Sequence, residues 1–197
     1  MLITDKDYWN SRYTENQTGW DIGEISTPIK AYIDQLTNKE LHILIPGCGN
    51  AWEGEYLTNQ GFIHTHLIDF SEEAIQRFQQ RVPYFPANKI YNEDFFTHSS
   101  KYDLIIEQTF FSALHPTMRK DYVKKMHALL QPKGKLVGLL FGIDLFEDHP
   151  PYGGNIEEYI SLFEPFFTIS VMEEAHNSIG PRKGNELFMI LEKKQLE

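Results

Sequence analysis

Cysteine is almost absent: one thiol, Cys48, in 197 residues. That excludes an intramolecular disulfide framework and fits a reducing compartment, with the cytoplasm as the expectation. Long apolar runs are missing too, since none approaches the roughly 18 residues that span a bilayer. Met1 to Lys6 lacks the basic-then-apolar pattern of a secretory signal, so a soluble protein is expected. Positive charge is scarce, with 18 Lys and Arg against 28 Asp and Glu and a formal charge of -10. Such a balance argues against nucleic-acid or anionic-membrane partners, which draw on basic patches, and favours a small-molecule ligand. There is no repeat, low-complexity tract or linker. The length predicts one domain, residues 1–197, with 41% hydrophobic residues for its core, and a monomer is expected.

The most informative stretch is Leu41-His42-Ile43-Leu44-Ile45-Pro46-Gly47-Cys48-Gly49-Asn50. An apolar run stops at a glycine pair and a helix-compatible segment, Ala51 to Asn59, follows, so it reads as a buried parallel strand entering a nucleotide-binding turn. Gly47 and Gly49 allow positive φ and close approach of a ligand, and the following helix offers unsatisfied N–H groups. The next apolar run, Phe62 to Ile68, ends at Asp69, where a carboxylate can accept the hydroxyls of an adenosine ribose. A dinucleotide fingerprint needs a third glycine, but Trp52 stands three residues after Gly49, which weakens an NAD-dependent oxidoreductase reading. Asp69, Asp94 and Glu107 each end a predicted strand. Three acids on successive strand tips suit a cationic ligand such as S-adenosylmethionine and would repel a dinucleotide.

In chain order, Trp9 and Tyr13 lie four apart on one helical face with Trp20 beyond a polar turn. This segment reads either as a helix laid on the domain or as a lid, with Trp20 near a sulfonium. Ser26-Thr27-Pro28 opens a helix to about Leu36. Ser71 caps a helix over 72–81; a short strand, 89–92, then delivers Asp94, for an adenine amino group, and Phe95, for its ring. The strand Tyr102 to Glu107 leads into an apolar loop, Gln108 to Pro116, and Pro116 starts a helix to about Leu130. Pro132-Lys133-Gly134 turns into a strand, Lys135 to Phe141, and the long connection 142–155 is a candidate for holding substrate. A helix over 156–164 and strands 166–174 and 186–193 complete an α/β pattern with an antiparallel edge hairpin.

Phe110, Phe111, Phe141 and Tyr152, with Trp20, are candidates for an apolar acceptor pocket. His115 or His149 is the candidate base for a neutral acceptor. Asp144, Glu147, Asp148 and His149 match no metal-site spacing, so no metal is expected. Cys48 reads as a small turn residue, because no environment among these acids lowers its pKa.

Several stretches together carry a resemblance over nearly the whole chain: Tyr8-Trp9 with Trp20-Asp21-Ile22-Gly23, Pro46-Gly47-Cys48-Gly49, Glu93-Asp94-Phe95-Phe96, Phe110-Phe111-Ser112-Ala113 with Pro116, Pro150-Pro151-Tyr152, and Ser178 with Arg182-Lys183-Gly184. The sequence resembles the thiopurine methyltransferase superfamily, and within it the plant-type halide/thiol methyltransferases. The resemblance implies a Rossmann-like class I methyltransferase fold. Its mainly parallel seven-stranded sheet has an antiparallel C-terminal hairpin strand and helices on both faces; within the one domain, 1–37 reads as an N-terminal lid or helical segment and 38–197 as the Rossmann-like core. It implies S-adenosylmethionine as methyl donor, S-adenosylhomocysteine as product and a small thiol or halide as acceptor. Family cofactor contacts fall on Trp9, Tyr13, Trp20, Gly47, Asp69, Asp94, Phe95 and Gln108. Tyr13 stands where relatives often carry tryptophan, and Gln108 where they carry tyrosine or arginine. A module that binds S-adenosylmethionine without catalysis is the other alternative.

Overall fold

The computed structural model describes residues 5–195; the first four residues of the Met1–Lys6 stretch read above lie outside them. The helices are α1 (Lys6–Thr14), α2 (Thr27–Ile33), α3 (Trp52–Asn59), α4 (Glu72–Arg81), α5 (Phe110–Ala113), α6 (Arg119–Leu129) and α7 (Ile156–Phe163). The strands are β1 (Ile43–Pro46), β2 (Thr65–Asp69), β3 (Ile90–Asn92), β4 (Tyr102–Gln108), β5 (Leu130–Phe141), β6 (Phe167–Glu174) and β7 (Glu186–Lys193). They form one sheet in the order β3-β2-β1-β4-β5-β7-β6. β7 runs antiparallel to both of its neighbours, so the expected terminal hairpin is present, with β7 inside the sheet and β6 at its edge.

Period-two alternation divides the apolar residues between two faces. Ile43, Ile45, Leu67 and Ile106 pack with Ile29, Leu57 and Phe78 of α2, α3 and α4. Leu44, Ile68, Ile105 and Leu140 pack with Phe111, Met126 and Phe163 of α5, α6 and α7. Ser71 caps α4 as expected, accepting from Ala74 N–H at 3.2 Å. No helix among the described residues is long and apolar enough to cross a membrane.

Three local expectations change. Gln108–Pro116 is not simply a loop, because a single helical turn, α5, forms within it. The helix expected to run from Pro116 begins as a 3-10 turn over Pro116–Met118 and becomes α-helical at Arg119. The turn at Pro132-Lys133-Gly134 lies inside β5, which starts at Leu130 because Leu130 pairs with Tyr102 before the register shifts. Lys133, at φ +64°, absorbs that shift.

Candidate functional site

Parallel strands place their C-terminal ends and the loops that follow on one side of the sheet. There a cavity of about 720 Å³ opens between the glycine turn, α1 and the 142–155 connection. Gly47 lines it at φ +54°, and a Cβ at that position would lie 2.2 Å from Cδ2 of Phe110. Gly49, at φ +52°, does not line the cavity; a Cβ there would lie 2.5 Å from the Tyr13 hydroxyl. Its N–H donates instead to Oδ2 of Asp69 at 2.8 Å. Oδ1 of Asp69 accepts from Ser71 N–H at 2.8 Å, so one carboxylate joins the glycine turn to the start of α4. Each oxygen retains a second lone pair, and the group lines the cavity. Burial raises its pKa, while the backbone N–H donors oppose that rise.

Helix α1 lies over this end. Asn10 Oδ1 accepts from the Ser71 hydroxyl at 2.8 Å, Lys6 pairs with Glu72 at 2.6 Å, and Arg77 donates to the Tyr13 carbonyl. Trp20 meets Trp9 edge-on at 5.3 Å and Tyr13 at 5.8 Å between ring centroids. All three rings line the cavity. Trp52 has a further part here: its indole N–H donates to Asp21 Oδ1 at 2.7 Å, and the Arg81 guanidinium sits 3.7 Å from its ring centroid. The bulk that blocks a dinucleotide turn thus pins the segment carrying Trp20. Arg182 holds the same segment from the other side, donating to the Trp20 carbonyl at 2.5 Å and to Glu186 Oε1 at 3.1 Å. Asp21 and Arg182 are the anchors that sequence reasoning missed as such. Their only advance signal was their place in the stretches shared with the resembled family.

Asp94 is exposed and lines the cavity, with Oδ1 accepting from Phe96 N–H at 2.9 Å. Phe95 reaches the cavity from the core, its ring 5.1 Å from that of Phe110. Phe110 and Phe141 line the cavity.

Other candidates lie elsewhere. Glu107 does not face a ligand; it is fully buried, with Oε1 accepting from Phe111 N–H at 2.9 Å and Oε2 from the Tyr122 hydroxyl at 2.6 Å. It therefore anchors α5, whose own N-cap residue, Thr109, provides no side-chain cap. Gln108 points away, its Oε1 accepting from the Ser26 hydroxyl at 3.0 Å. Ser26 consequently leaves the start of α2 without the side-chain cap expected of it. Phe111 is core, edge-on to Tyr122 at 5.0 Å and to Tyr159 at 5.5 Å. Tyr152 is buried behind the wall, its N–H donating to the Ser112 carbonyl at 2.7 Å. His115 is outside the cavity lining, and its Nδ1 accepts from Thr117 N–H at 3.3 Å. Burial pushes the Cys48 thiol up, away from nucleophilic use. Among the described residues no group of three or more His, Cys, Asp or Glu is placed to hold a metal ion.

Strand order gives the cavity two chemically distinct sides. The carboxylate of Asp69 ends β2 and that of Asp94 follows β3, whereas Phe110 follows β4 and Phe141 ends β5, and β1 with its glycine turn lies between the two pairs. One side suits a cationic nucleoside; the other suits a small apolar or soft group.

The profile of the family described as "Thiopurine S-methyltransferase (TPMT)" matches residues 4–195. The chain belongs to the thiopurine S-methyltransferase family. It is 31% identical to "Probable thiol methyltransferase 2" of Arabidopsis thaliana over 90% of this chain and 81% of that one. It is 30% identical, with the same coverage, to "Thiocyanate methyltransferase 1" of Brassica oleracea. Among solved structures, the 1,6-didemethyltoxoflavin-N1-methyltransferase of Burkholderia thailandensis, with S-adenosylhomocysteine bound, superposes with a TM-score of 0.75 over 96% of this chain and 87% of that one. At 15% identity that likeness concerns the fold, a class I methyltransferase fold.

As a member of the thiopurine S-methyltransferase family, the chain is an S-adenosylmethionine-dependent methyltransferase acting on a small-molecule acceptor. The residues present fit the donor. Gly47 leaves open a surface that any Cβ would crowd, and the carboxylates of Asp69 and Asp94 in the same lining are acceptors suited to a ribose and an adenine amino group.

Proposed function

We propose that this enzyme methylates a small sulfur nucleophile or halide: a thiol, hydrosulfide, thiocyanate, halide or thiopurine. The observation that carries the reading is the division of one cavity into a carboxylate side and an aromatic side across Gly47. When bound, S-adenosylmethionine supplies a methyl group already activated by a sulfonium leaving group. Asp69 accepts from the ribose hydroxyls, Asp94 from the adenine amino group, and Phe95 offers a ring to the base. Trp9 and Tyr13 cover the donor while Trp20 attracts the cation through its π face. Phe110 and Phe141 hold the acceptor in line with the methyl carbon and exclude water from a soft anion, a positioning effect worth up to about 7–11 kcal/mol in favourable cases.

In this reading residues 1–37 form a lid on a 38–197 core, and the enzyme works as a cytoplasmic monomer without nucleic-acid or membrane partners. The acidic balance of 28 Asp and Glu against 18 Lys and Arg supports the last point. The test is incubation with methyl-labelled S-adenosylmethionine and a panel of iodide, thiocyanate, hydrosulfide, an aromatic thiol and a thiopurine. Labelled product from the small anions supports the halide/thiol assignment, and product from the aromatic acceptors alone narrows it to thiopurine-type chemistry. Donor binding with no product from any of them overturns the reading.

A further inference from the structure

Halides and thiocyanate arrive as anions, but a neutral thiol must lose a proton before or as its sulfur is methylated. On the proposed acceptor chemistry, the enzyme therefore needs a proton acceptor beside the aromatic side of the cavity. Of the eight histidines in the chain, His149 is the one that lines this cavity among the described residues. His42, His64 and His66 stack on one another away from the cavity lining, with His42 and His64 at 4.4 Å, and His98 is held between Glu93 and Tyr102.

The hydrogen bonds of the two candidate bases assign opposite tautomers. At His115, Nδ1 accepts from the Thr117 backbone, so the ring proton is on Nε2 and the basic nitrogen is already engaged. At His149, Nδ1 lies 2.9 Å from the Pro150 carbonyl oxygen, which can only accept. The ring proton is therefore on Nδ1, and Nε2 keeps its lone pair. Phe146 packs on the imidazole at 4.1 Å between centroids and holds its plane. Oδ1 of Asp148 lies 3.7 Å from Nε2, too far to take a hydrogen bond from it.

We infer that Nε2 of His149 is the general base that deprotonates a neutral thiol acceptor. As the S–H proton passes to Nε2, the thiol sulfur forms its bond to the methyl carbon. The bond from that carbon to the donor sulfur breaks, and its electron pair remains on the donor sulfur. The imidazolium afterwards returns its proton to solvent, which the half-exposed ring can reach. Other charged groups face the same cavity. They are Lys6 and Arg12 of α1 and Arg182, and the carboxylates of Asp5, Asp69, Glu93 and Asp94, with Asp148 on the histidine's own connection.

The test compares the wild-type enzyme with His149→Gln on two acceptors, an alkyl thiol and thiocyanate. At neutral pH the variant is expected to lose about 10²-fold in kcat/KM for the thiol, the lower end of the range for general-base catalysis. Thiocyanate turnover, which needs no base, should fall far less than thiol turnover, and circular dichroism checks that the variant is folded. Raising the pH until the thiol ionises in solution should restore the thiol rate. A second readout needs no turnover: with S-adenosylhomocysteine bound, an alkyl thiol, which is neutral in solution at pH 7, should show thiolate absorbance in the wild-type enzyme at that pH and not in the variant. Unchanged thiol turnover, or equal losses on both acceptors, would overturn the assignment. Thiolate absorbance from a wild-type enzyme that methylates neither acceptor would support the proton transfer while sinking the acceptor reading.

Discussion

The Tyr122 hydroxyl donates to Oε2 of Glu107 at 2.6 Å, and both side chains are fully buried. Glu107 also receives Phe111 N–H, so this pair fixes α5, and with it the placement of Phe110 against Gly47. Burial pushes the Glu107 carboxyl up to about 7 despite its donors. Tyr122→Phe removes one of them and leaves a buried oxygen unsatisfied, an expected loss of about 1–3 kcal/mol that urea unfolding would register. Unaltered stability in the variant would mean that the pair does not anchor α5.

Glu53 gives a prediction with a sign. Burial raises its carboxyl to about 7, opposed by hydrogen bonds from its own backbone N–H and that of Ser26. The folded state therefore binds more protons than the unfolded chain between an unfolded value near 4.5 and 7, and stability falls as pH rises through that window. Glu53→Gln keeps an acceptor and abolishes the titration. It should raise stability at pH 8 by roughly 3 kcal/mol and flatten the decline attributable to Glu53. Thermal unfolding at pH 5 and pH 8 checks this; an equal effect at both pH values contradicts it.

Gly47→Ala meets two obstacles, a positive φ and a Cβ inside the Phe110 ring. Strain of this kind costs about 1–3 kcal/mol, and relief by moving Phe110 would disturb both sides of the cavity. Calorimetric titration should show S-adenosylhomocysteine binding weakened at least tenfold, and binding at wild-type strength would remove Gly47 from the site.

Asp21→Ala frees the Trp52 indole and loosens the segment that carries Trp20. The expected signature is faster dissociation of S-adenosylhomocysteine in stopped-flow fluorescence, by about tenfold for roughly 1.4 kcal/mol of lost contact. An unchanged rate would show that the Asp21–Trp52 bond does not restrain the cover.

Much of the fold was legible because the relevant signals are local. β7 and α4 occupy the residues expected of them, Glu186–Lys193 and Glu72–Arg81, since a short apolar run after a glycine-rich turn and a Ser71 cap each declare themselves within a few residues. α5 was not legible: four residues are too short to show a helical period, and the carboxylate that anchors the turn comes from the preceding strand. For the same reason Phe110 and Phe111 looked alike in sequence, although one lines the cavity and the other is core. Gln108 and Glu107 were misread because their partners, Ser26 and Tyr122, are distant in sequence or on another element. Gly47, Asp69 and the aromatic cover were legible as cavity residues because strand ends and loop positions dictate where they fall, whereas Gly49 serves the turn itself by donating to Asp69.

The most direct test of the two-sided site is the dissociation constant of S-adenosylhomocysteine for the wild-type enzyme and for Asp69→Asn, measured by calorimetry with NADH as a control. Asparagine can no longer accept at both oxygens, so binding should weaken by at least about tenfold, while the wild-type enzyme ignores NADH. Equal binding to wild type and variant, or binding of NADH in place of S-adenosylhomocysteine, would contradict the carboxylate side of the cavity as the donor site.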